Sequence, residues 1–171
     1  CTVGDLVIRG TVFAPFGQDA DIAGACYAIA VENRGPSDAH VALSLEGVLG
    51  HRQLRVVTPR PLEDGHRVTV RGDVVILDGA EPPGHVALAV AADGARGATA
   101  DVTGPHSYRV RRPLVIPAGA RSETAFYVGA GPERDGACAT VEVLRRRGWK
   151  QLLTGTRDAI RTLEQTTGME S

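Results

Sequence analysis

"CYAIAVENRGPSDAHVALSLEG", residues Cys26–Gly47, holds two apolar runs separated by a polar elbow. Cys26 to Glu32 is made of small and apolar residues, and "NRGPSD" then supplies the Gly-Pro punctuation of a turn. Val41 to Leu45 alternates, placing Val41, Leu43 and Leu45 on one face and Ala42 and Ser44 on the other. The two runs are expected to form an antiparallel pair with one wet face, joined by the short elbow.

The same grammar extends in both directions. Upstream, "LVIRGTVF" (Leu6 to Phe13) is a loosely alternating strand that stops at "APFGQD". Downstream, "HRQLRVVTP" reads as a strand, and "HRVTVRGDVVIL" carries Val68, Val70 and then Val74 to Leu77. "HVALAVAAD" places Val86, Leu88 and Val90 on one face, and Tyr108 and Val110 alternate with arginines. "IPAG" predicts a turn at Pro117 to Gly119, before a strand in which Thr124, Phe126 and Val128 share a side. No helix of comparable length separates these strands, which excludes the crossovers of a parallel α/β sheet. The fold class that follows is all-β: a two-layer antiparallel β-sandwich of roughly eight to ten strands, followed by a C-terminal helical segment.

The period changes near Asp135. Trp149, Leu152, Leu153, Thr156, Ala159, Ile160 and Leu163 recur at steps of three and four, a helical stripe. Gly148 is expected to separate two helical pieces and Gly168 to end the second. "ACATVEVLRRR" is read as helix, although Val141 and Val143 also fit a last strand. The predicted division is residues 1–134 as the sandwich and 135–171 as a helical linker or docking segment. An amphipathic extension of roughly 20 residues must bury its stripe on this domain or on another. Trp149, Leu152, Leu153, Ile160 and Leu163 are therefore the candidate contacts for a following helical domain or another chain.

The 171 residues are 43% hydrophobic and 23% charged, with 21 Gly and 10 Pro, which is globular composition rich in turns. A formal net charge of -1 with mixed signs offers no field to a polyanion, so no nucleic-acid partner is expected. No apolar stretch of spanning length and no leader pattern is found, so no transmembrane segment is expected. Cys1, Cys26 and Cys138 form no close pair, which excludes a zinc knuckle and a CxxC redox motif. Buried thiols are the favoured reading of these cysteines, with one disulfide plus a free thiol as the alternative. Cys1 has three readings: a boundary within a longer chain, a lipidated mature terminus, or the nucleophile of a self-processed amidohydrolase. The first is favoured, because "CTVGDLVIRGTVFAPFG" has no tether and no partner groups.

No catalytic, cofactor-binding or metal-binding residues are expected from the sequence. "GAGPERDG" lacks the Lys-Ser/Thr ending of a phosphate loop. His40, His51, His66, His85 and His106 show no two-histidine metal spacing. Asp19, Asp21, Glu32, Glu46, Asp73 and Asp78 are acids without a local signature that pairs two across a bond. Ser37, Ser44, Ser107, Ser122 and Ser171 lie outside any nucleophile elbow. Aromatic residues, at 4%, are scarce for stacking sugars.

Three stretches carry a family likeness. "VFAPFGQDADIAGACYAIAVENRGPSDAHVALSLEG" resembles part of the amino-terminal super-sandwich domain of inverting glycoside hydrolases and disaccharide phosphorylases, the matching pieces being Val12 to Phe16, Ala28 to Asn33 and Val41 to Leu45. "RRPLVIPAGARSETAFYVGAG" resembles a later strand pair of that domain, and "RRRGWKQLLTGTRDAIRTLEQTTG" the helical linker into an (α/α) barrel. The resemblance implies a noncatalytic scaffold, with acid and base in the separate barrel, and hence carries no catalytic residue onto this chain. It also implies that a loop borders the substrate entrance or a subunit contact, for which Ala14 to Ile22 is the candidate by position. The alternative function is an extracellular or envelope-associated binding or adhesion module, with glycans and surface partners as the candidate ligands.

Overall fold

The computed structural model describes residues 1–17, 22–48, 67–78, 86–94 and 97–168. Its strands are β1 (Thr2–Val3), β2 (Leu6–Phe13), β3 (Gly24–Asn33), β4 (Ala39–Val48), β5 (Arg67–Arg71), β6 (Val74–Asp78), β7 (Ala87–Ala92), β8 (Thr99–Gly104), β9 (Ser107–Ile116) and β10 (Arg121–Gly131). Two helices follow, α1 (Arg134–Arg147) and α2 (Trp149–Thr167). The strands form a seven-stranded sheet in the order β1-β2-β3-β10-β7-β6-β5 and a three-stranded sheet in the order β4-β9-β8. Every pairing is antiparallel. The strand expected at "HRQLRVVTP" lies outside the described residues.

The antiparallel pair expected of the two runs around the elbow is not formed. β3 and β4 do not pair: β3 lies between β2 and β10 in the larger sheet, while β4 pairs β9 in the smaller one. The elbow after Asn33 therefore crosses from sheet to sheet. The "IPAG" turn makes the same kind of crossing, from β9 to β10. There Ala120 N–H donates to Pro117 O at 3.0 Å and Gly119 takes φ +70°, the positive value that a type II turn requires at its third residue.

Asn33 ties the two crossings together. Its side-chain amide donates to Ser37 O (2.8 Å), Ile116 O (3.0 Å) and Pro117 O (3.2 Å), and its Oδ1 accepts from Gly35 N–H at 3.0 Å. Its backbone N–H donates to Ala120 O at 2.8 Å. The residue is buried, and its amide satisfies the carbonyl of buried Ile116 as well as those of Ser37 and Pro117 at the more exposed turns.

Between the sheets lies the main core: Ile29, Val31, Val75, Leu77, Val90, Ala92, Val110, Ile116 and Phe126. Val41, Leu43 and Leu45 pack on it from β4, Leu88 from β7, Tyr108 from β9 and Val128 from β10, as the alternation predicts. Val86 departs from that pattern; it precedes β7 and is exposed.

The larger sheet is buried on its other side too. Val74, Ile76, Ala87, Ala89 and Ala91 pack against Ala137 and Val141 of α1. Alanines keep that face low, and β10 lowers it further: a Cβ on Gly129 would stand 2.7 Å from Val141 N, and one on Gly131 would overlap the backbone at Gly136 and Ala137. The backbones of helix and strand thus meet with no side chain between them, and Thr140 Oγ1 donates to Ala130 O at 3.1 Å across the contact. "ACATVEVL" is therefore helix, and α1 is a third layer with Ala137, Val141 and Leu144 wholly buried. Ion pairs Arg71–Asp135 (3.1 Å), Arg134–Asp78 (2.5 Å) and Arg145–Asp73 join it to the β5–β6 hairpin.

Two outcomes test this account. Asn33→Asp keeps the size but removes both amide donors, and it is expected to lower unfolding stability by about 2–3 kcal/mol in urea titrations near neutral pH. Gly131→Ala must push the start of α1 off β10; a loss of about 1–3 kcal/mol is expected by the same titration, the scale of an overpacked core.

Candidate docking surface

α2 starts without a local cap. Gly148, at φ +75° and ψ 143°, closes α1 by donating its N–H to Leu144 O at 2.9 Å, and it has no side chain to offer the next helix. The sheet supplies the missing acceptor: Trp149 N–H donates to Tyr127 Oη of β10 at 3.1 Å. Tyr127 is fully buried, and burial, reinforced by Asp93, pushes its phenol up, so it remains a neutral acceptor at the helix start.

The inner side of α2 docks on the sheet. Leu152 is buried with Cys26, Ala28, Ala125, Tyr127 and Leu144, and Trp149 and Phe13 pack on that cluster. Lys150 Nζ sits 2.6 Å from Glu123 Oε2 and 5.4 Å from the Trp149 ring centroid. That ammonium is the main reason the Glu123 carboxyl lies below its usual range, with Arg121 adding to the effect. Farther along, Thr156 is buried and doubly used: its hydroxyl donates to Leu152 O at 2.8 Å and accepts from Phe16 N–H at 3.1 Å. Gly17 touches Ala159, where a Cβ would overlap that side chain.

The predicted stripe therefore divides. Leu152 belongs to this chain's own core, which corrects its assignment to a partner, because the cluster below β3 and β10 covers it, while Trp149 packs on the same cluster and is half-buried. Ile160 and Leu163 lie 44% and 48% exposed on the outer half of the helix, and Leu153 is half-buried. Phe16, 49% exposed, comes from the opposite end of the chain, its backbone held one helical turn before Ile160. Two sequence candidates about 140 positions apart, the Ala14 to Ile22 connection and the helical stripe, thus adjoin at Thr156 and Ala159. Residues 18–21 of that connection lie outside the described residues.

The other candidates fall elsewhere. Glu32 pairs with Arg34 (2.8 Å) and Glu46 with Arg109 (2.6 Å), while Asp73 and Asp78 hold α1. Asp19 and Asp21 lie outside the described residues, as do His51, His66, His85 and Ser171. His40 is exposed on β4 and His106 stands in the β8–β9 turn. Among the described residues no group of three His, Cys, Asp or Glu could hold a metal, and no helix is long and apolar enough to cross a membrane. All three cysteines are free thiols; burial pushes Cys26 up to about 12, and Cys138 is also raised by burial. Cys1 is exposed and extends the β1–β2 ladder, Ile8 N–H donating to its carbonyl at 2.8 Å.

No protein-family model matches the chain, and no curated protein matches it in sequence. A solved structure described as "Putative kojibiose phosphorylase from human microbiome" matches it with a TM-score of 0.68 at 11% identity. The match covers 94% of this chain and 22% of that one. The two share a fold. At this identity the likeness concerns architecture, and the present chain spans less than a quarter of the neighbour's length.

Tyr127→Phe removes the acceptor at the start of α2 while leaving the ring in place; a loss of about 1 kcal/mol is expected, with Trp149 emission as the local reporter in the same unfolding curve. Glu123 adds a pH dependence. Its carboxyl is lowered in the folded chain, so the stability it contributes is fully present above about pH 4.5 and disappears as pH falls through the lowered value. Unfolding midpoints measured from neutral to acid pH are expected to fall less steeply for Glu123→Gln than for the wild type.

Proposed function

We propose that the chain is the noncatalytic sandwich domain of a larger carbohydrate-active enzyme, a glycoside hydrolase or phosphorylase, and that it scaffolds a separate helical catalytic domain. The observation that carries this reading is the asymmetric match: nearly all of this chain superposes on less than a quarter of a phosphorylase-described protein. In this reading residues 1–134 form the sandwich and 135–171 the docking segment. The reaction, transfer of a glycosyl group to water or phosphate with inversion, belongs to the catalytic domain.

Two features of the chain agree with a supporting role. Four of the acids that could have served as acid or base are engaged in ion pairs, two of them holding a helix. Exposed Ile160 and Leu163 stand on a helix whose inner side is already anchored, with exposed Phe16 held beside them by the Phe16–Thr156 bond, so this outer side is presented in a fixed direction. A partner's apolar helical face is the chemistry that would cover it.

Sequencing the gene on both sides of this segment, then assaying the whole product and the isolated chain on α-linked disaccharides with and without phosphate, tests the proposal. A long helical region in the same frame and turnover by the whole product alone are expected. Replacing Ile160 and Leu163 together by Asp is expected to loosen the domains of the whole product, seen as faster proteolysis between them, while leaving the isolated chain's unfolding midpoint unchanged. A frame that stops at Ser171, with glycan capture by the isolated chain, would overturn the proposal in favour of a binding or adhesion module.

A further inference from the structure

We draw no further inference here: the strongest candidate outside the surface already described, the apolar rim of Val12, Tyr27 and Val102 at the strand ends of the sandwich opposite Asn33, is an unpartnered face, and nothing in the structure shows what covers it.

Discussion

One buried amide ties together two passages of the chain between the sheets. Among the described strands the chain changes sheets after β3, β4, β7 and β9, and the first and last of these passages turn on the carbonyls and N–H groups that Asn33 satisfies. A sandwich core is non-directional: apolar faces would tolerate sliding of one sheet over the other. Directional bonds at one corner oppose that sliding, where Val41, Leu43 and Leu45 meet the larger sheet. The helices inherit this order, since β10 begins at the last of these passages and carries the glycines under α1 and the hydroxyl that starts α2.

The larger sheet is covered unequally on its two sides. Toward β4, β9 and β8 it presents branched and aromatic side chains, filling the wider gap between sheets; toward the helices it presents alanine and glycine, so that α1 lies close. This explains why β6 and β7 read as near-continuous apolar runs although all their neighbours are antiparallel, a pattern more often met in parallel sheets.

The features legible in the sequence are those written in local periodicity. Alternation in β4 and β10 identified the core faces, and Gly148 and Gly168 marked the helix limits. Strand partnership was not legible. A five-residue elbow between β3 and β4 suits a hairpin or a passage between sheets equally well, and what decides is a set of carbonyls 83 and 84 positions from Asn33. The division of the helical stripe was hidden for a similar reason: Leu152 and Ile160 differ little in character, and only the extent of the sheet beneath α2 makes one core and the other surface. Phe16 joined that surface through a backbone bond to Thr156, which no motif announces. The alanines of β7 offered a signal for a covering helix that hydrophobicity alone underrates.

The phenol at the start of α2 has a wider implication. A helix that caps itself can pivot as a unit on the glycine before it; this one takes its first acceptor from the middle strand of the larger sheet and packs Leu152 against Leu144 of α1, so its axis is referenced to the body of the domain. Side chains on the outer half can therefore change identity without altering where the helix aims, which leaves contact specificity and geometry under the control of different parts of the chain.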